Sequence, residues 1–103
     1  MTTLRLHRKG QDYMGFRCEG HSGYAQEGED IVCAAISSMT QFCICCAEQF
    51  DVPITYFVDE ALLECSVEHP NSTFSGLLAA LENSVSQLQE EYPEHICLEI
   101  MEV

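Results

Sequence analysis

The stretch from Ile31 to about Phe50 constrains this chain more than any other. Ile31, Val32, Ala34, Ala35, Ile36, Met39, Phe42, Ile44 and Phe50 fall around the whole of a helical wheel, and no charged residue appears before Glu48. A helix without a polar face is predicted to be buried on most sides. Asp51-Val52-Pro53 ends it, because the residue before a proline avoids helical geometry. With 103 residues the chain is one small domain, so the segments on either side must supply the cover.

Those segments alternate as strands do. From Thr3 to Lys9, Leu4 and Leu6 share one face. Tyr13 to Glu19 puts Met14, Phe16 and Cys18 together, and Lys9-Gly10-Gln11-Asp12 between the two runs predicts a hairpin turn. Ile54 to Val58 and Leu62 to Val67 read as two more strands that turn near Asp59-Glu60. Pro70-Asn71-Ser72 opens a second helix, with Phe74, Leu77, Leu78, Leu81, Val85 and Leu88 at helical spacing and Tyr92-Pro93 as its stop. His95 to Val103 alternates again and forms an edge or closing strand. The order β-β-α-β-β-α-β predicts an α+β fold over residues 1–103, a mostly antiparallel or mixed sheet with two helices packed on it. Residues 20–29, with three glycines and no period, are predicted to be a mobile loop.

Charge narrows the partners. The net charge is −13, and all four bases (Arg5, Arg8, Lys9, Arg17) precede sixteen of the seventeen acids. Nucleic-acid binding needs Lys and Arg to displace phosphate counterions, so direct contact with DNA or RNA is not expected. A basic protein partner would be drawn in. No unbroken apolar run is longer than the six residues of Phe42 to Ala47, far short of a membrane span, and Met1 to Arg8 lacks the apolar core of a secretory leader. No membrane association is expected, and the chain is read as cytoplasmic.

The seven cysteines fit that compartment. An odd number lying mostly in apolar periodic segments does not suit a secreted disulfide scaffold, and reduced thiols acting as small hydrophobes are expected. Cys43 and Cys46 have the spacing of a redox or metal pair. They lie deep in a helical run rather than at its start, and a zinc site would need a second pair. Packing is the preferred reading for them, no metal or other cofactor is expected, and a thiol redox or metal protein is the least favoured function.

Chemistry concentrates between Gly20 and Ser37. Asp30 is predicted to be the N-cap of the first helix, which places Cys33 in the first turn. There the free backbone N–H groups and the positive end of the dipole would favour a thiolate and hold an oxyanion. His21, twelve residues upstream on the glycine-rich loop, is the candidate proton carrier, and a Cys–His dyad is the minimum equipment for acyl transfer. The plainer alternative makes Cys33 one more buried small hydrophobe and His21 an ordinary loop histidine.

Gly20-His21, followed by Gly28-x-Asp30-Ile31-Val32-Cys33-Ala34-Ala35-Ile36-Ser37, resembles the signature of the ribosomal-processing cysteine proteases, the Prp family. The likeness extends over essentially the whole chain. It implies an endopeptidase that removes the short N-terminal extension of ribosomal large-subunit protein twenty-seven, cutting after apolar and aromatic residues. It further implies Cys33 as nucleophile and His21 as general base and acid, with Gly20, Asp30 and Ser37 as supporting or substrate-binding positions, and a homodimer. Ser22 stands where family members commonly have Ala. The competing function is a non-catalytic acidic module that binds a basic ribosomal protein.

Overall fold

Among the described residues, seven elements form in the predicted order: β1 (Thr2–Lys9), β2 (Asp12–Glu19), α1 (Glu27–Gln49), β3 (Thr55–Asp59), β4 (Leu62–Ser66), α2 (Ser72–Glu91) and β5 (Ile96–Glu102). The computed structural model describes residues 1–20 and 27–103, with the side chains of 27–30 outside that description. The mobile loop predicted over residues 20–29 therefore falls mostly outside the described residues. Gly10 turns the β1–β2 hairpin at φ 66°, a left-handed conformation that glycine adopts without a Cβ penalty.

The five strands make one sheet in the order β3-β4-β2-β1-β5. Neighbours are antiparallel except β1 and β5, which run parallel with Leu4 opposite Leu98, so the sheet is mixed. Leu4 and Leu6 of β1, Phe16 and Cys18 of β2 and Leu63 and Cys65 of β4 are buried on one face. They meet Val32, Ile36 and Ile44 of α1 and Phe74, Leu78, Leu81 and Val85 of α2 in a single core. On the opposite face, half-exposed Arg5 and Arg17 stand side by side in the pairing of β1 with β2. Arg5 donates to Glu99 of β5 at 2.8 Å, and Arg17 pairs with Glu19 and Glu64. The hydrogen bond from Arg5 holds the Glu99 carboxyl below its usual range. Two of the four bases are thus used within the sheet, and the chain as a whole keeps its net charge of −13.

Helix α2 begins as its sequence requires. The Asn71 side chain caps it by accepting the Phe74 N–H at 2.9 Å, and Phe74 anchors the first turn in the core. Asn71→Ala leaves that N–H without its partner and is expected to cost about 1 kcal/mol. In a domain of this size that lowers the thermal midpoint by roughly 4–8 °C, which a melting curve measures.

Helix α1 departs from expectation at its start and along its outer side. It begins at Glu27 rather than after Asp30, so residues 27–29 are helical and Asp30 is the fourth helical residue, not the N-cap. The positive end of a helix dipole accepts acids in its first turn, so the Glu27-Gly28-Glu29-Asp30 tract can enter the helix rather than stop at its last acid. Among the described side chains of the helix, only the stripe Val32, Ile36, Thr40, Ile44 and Ala47 is buried. Ile31 and Phe42 are 58% and 59% exposed. The reason is geometric: the chain supplies one sheet face and one companion helix, which together cover less than the circumference of a 23-residue helix. By length and composition Ile31–Gln49 could cross a membrane, but its buried stripe is here part of the core. Buried Thr40 satisfies its hydroxyl on its own helix, donating to the Ile36 carbonyl at 3.0 Å. At the other end Asp51 takes a left-handed φ of 56°, and the Val52 N–H returns to the Ala47 carbonyl at 2.8 Å.

The edge strand β3 is exposed along its whole length, including Tyr56 and Val58 on the side that faces the helices. The helices roof the middle of the sheet and leave this margin uncovered. That uncovered margin creates the cleft described next.

Candidate active site

Cys33 is the seventh residue of α1 and half-buried. At 1.5 Å per residue it lies about 9 Å along the axis from the helix start, and its own N–H is not among the first four, which lack intrahelical partners. The expected first-turn placement is therefore corrected, and with it the expectation that the free N–H groups at the helix start hold an oxyanion at this sulfur. What contacts the sulfur is a side chain. Thr2 Oγ1 lies 2.9 Å from Cys33 Sγ, within hydrogen-bonding distance.

That contact follows from the sheet. Thr2 opens β1 on the same face as Leu4 and Leu6, and it is 3% exposed. Its N–H donates to the His95 carbonyl at 2.9 Å, and it pairs with Ile96 of β5. Gly20, just past β2, completes the enclosure, its N–H donating to the Ala61 carbonyl at 3.1 Å. A Cβ on Gly20 would lie 3.2 Å from both Cys33 Sγ and Thr2 Oγ1. Glycine leaves the room in which sulfur and hydroxyl meet. No local motif marks Thr2, because residues 2 and 33 become neighbours only once β1 takes its place in the middle of the sheet.

Cys33 opens onto a cleft of about 470 Å³. Thr2, Cys18, Gly20, Ser37 and Ile44 line it on one side, and Tyr56, Val58 and Leu62 of the uncovered margin on the other. Ser37 is exposed and one turn beyond Cys33 on the same helix face, as its spacing predicted. Glu48, Asp59 and Glu60 add carboxylates to the lining. The cleft thus offers apolar and aromatic surface together with negative charge.

Of the predicted site residues, the structure brings together Cys33, Gly20 and Ser37. Asp30 lies on α1 one turn before Cys33, with its side chain outside the described residues, and His21 lies outside them altogether. Three of the other thiols are held neutral by burial. Burial, with a contribution from Cys33, pushes the Cys18 thiol up to about 11, so at neutral pH it stands uncharged beside the site. Burial likewise pushes Cys43 up to about 11 and Cys65 to about 12. Cys43 and Cys46 face Leu77 and Leu81 of α2 in the groove between the helices, where the first acts as packing.

The family model for the cysteine protease Prp matches residues 1–97. The chain belongs to the Prp family of cysteine proteases. Solved structures agree on the fold. SMU.848 from Streptococcus mutans superposes with a TM-score of 0.89 at 21% identity, over 100% of this chain and 99% of that one. The essential ribosomal processing protease Prp from S. aureus, solved with a substrate peptide, gives 0.88 at 21% identity over 97% and 99% of the two chains. The same S. aureus protease with a covalently linked product peptide gives 0.79 at 23% identity over the same shares. No curated protein matches the chain by sequence. Membership of the Prp family decides between the two functions left open by the sequence: the chain is an enzyme, a cysteine protease, and not a passive acidic module.

Proposed function

We propose that this protease processes a basic ribosomal protein, removing the short N-terminal extension of large-subunit protein twenty-seven with a Cys33–His21 dyad. The observation that carries the reading is the half-buried Cys33 sulfur opening onto an apolar, acid-rimmed cleft in a fold shared with a ribosomal processing protease that binds peptide. The Cys33 thiolate attacks the scissile carbonyl carbon, and the tetrahedral intermediate collapses to a thioester as His21 gives a proton to the leaving amine. His21 then takes a proton from water, whose oxygen displaces the sulfur and releases the carboxylate product. Tyr56, Val58 and Leu62 offer apolar and aromatic surface to the residues before the cut, and Ser37 and Gly20 line the approach.

The setting belongs to the same proposal. Seven free cysteines suit a reducing cytoplasm, where ribosomal proteins are made. A homodimer would relieve a domain whose core is small, and exposed Ile31, Phe42 and Phe50 give it apolar surface to bury. The direct test incubates the protein with the full-length ribosomal protein and reads the new N-terminus by mass spectrometry. A single cut after an apolar or aromatic residue is expected, and an intact substrate under conditions where Cys33 is reduced refutes the assignment.

Salt gives an independent check on how the substrate is gathered. With −13 net charge and exposed acids, the chain steers a basic substrate over distances that salt screens. Raising ionic strength from about 0.05 to about 0.5 M should lower kcat/KM several-fold through its association step and leave kcat nearly constant. A flat response of kcat/KM removes the steering argument.

A further inference from the structure

We infer that Thr2 is a positioning residue for the nucleophile: its hydroxyl holds the Cys33 sulfur toward the cleft and favours the ionised form by donating to it. The inference rests on Cys33 being the nucleophile and adds a group that neither motif nor family assigns.

Three observations converge on the contact. The first is distance, 2.9 Å between Oγ1 and Sγ, which fixes one rotamer of a side chain that otherwise has three. The second is rigidity. Thr2 is nearly inaccessible, its N–H is bound to the His95 carbonyl, and its strand lies between β2 and β5, so the hydroxyl is presented from a fixed point. The third is the space around it. Gly20 has no side chain where a Cβ would press on both Sγ and Oγ1, so the pair sits together without displacement.

The chemistry gives the contact a direction. A threonine hydroxyl has one proton and two lone pairs. Beside a neutral thiol it can accept the S–H, and beside a thiolate it can donate its own proton. Hydrogen bonds to an ionised partner are roughly twice as strong as neutral ones, so the contact strengthens as the sulfur ionises. This matters because Cys33 lies beyond the first turn of α1, outside the range in which a helix start acts on a charge. The hydroxyl of Thr2 supplies locally what the helix start does not. Cys18, the other sulfur nearby, is held uncharged by burial and does not oppose it.

The test separates the hydroxyl from the methyl group. In the full-length protein, Thr2→Val keeps shape and removes the proton, while Thr2→Ser keeps the proton. Alkylation by iodoacetamide, resolved at Cys33 by peptide mass spectrometry across a pH series, reports thiolate availability without substrate. Thr2→Val is expected to slow Cys33 alkylation at neutral pH about tenfold and to shift its profile to higher pH. Its kcat for peptide cleavage should fall by a similar factor with KM unchanged, and Thr2→Ser should restore both. If Thr2→Val does not fold, Thr2→Ala read against Thr2→Ser poses the same question. A parental alkylation profile in the variant lacking the hydroxyl overturns the inference, provided Cys33→Ala is inactive. Full cleavage by Cys33→Ala overturns the nucleophile assignment instead.

Discussion

Cys33→Ala is expected to lose peptide cleavage by at least about a thousandfold while melting at the parental temperature. The sulfur is half-buried on the exposed-side shoulder of α1 rather than in its buried stripe, so its removal opens no core cavity. Three of the other thiols are poor substitutes for it: Cys18 is buried with its thiol pushed to about 11, and Cys43 and Cys65 are held uncharged in the same way. His21→Ala is expected to lose activity to a similar degree. The double variant should be no worse than either single one, because two groups that act as one unit do not lose their contributions separately. Steady-state cleavage of the ribosomal substrate by the four proteins completes this cycle. Additive losses in the double variant would show that the two side chains act independently, and the dyad would then fail as a mechanism. Near-parental cleavage by Cys33→Ala alone would move the chemistry to another residue.

Much of this arrangement could be read from residue spacing, and the exceptions have physical causes. Alternation at Leu4-Leu6 and Phe16-Cys18 predicted β1 and β2 because one face of the sheet is buried and the other carries Arg5 and Arg17. The α2 boundary was legible for the same local reason, since Asn71 caps through its own side chain. Burial of α1 was misjudged because an apolar wheel reports what a helix tolerates, not how much neighbouring surface a short chain can supply. The start of that helix was misplaced because Asp30 is a good cap in isolation, while the acids before it also suit a first turn. Cys33, Gly20 and Ser37, which line one cleft, were singled out by a motif local in sequence. Thr2 was not, because its relation to Cys33 is a product of strand order, with 31 positions separating the two residues.

Phe16→Ala is expected to remove the fold itself at physiological temperature. Phe16 is 1% exposed on β2, opposite Leu6 of β1 on one side and Cys65 of β4 on the other, so it lies near the middle of the sheet's buried face. Truncating a phenylalanine in such a place costs about 3–5 kcal/mol, the transfer term plus the cavity left behind. Domains of this kind hold only about 5–15 kcal/mol in total, and this one leaves Ile31, Phe42 and its whole β3 edge exposed, which places it at the thin end of that range. At roughly 4–8 °C per kcal/mol, the thermal midpoint should fall by on the order of 20 °C. Activity disappears with it, because β2 carries Gly20 at its end and pairs with β4, the strand that brings Leu62 and Leu63 to the cleft. The two kinds of loss remain separable. Lowering the temperature should return cleavage to Phe16→Ala and not to Cys33→Ala. Phe16→Ala melting within a few degrees of the parent would mean that the core closes over the cavity, and that the sheet is braced mainly by α2 packing rather than by its central aromatic.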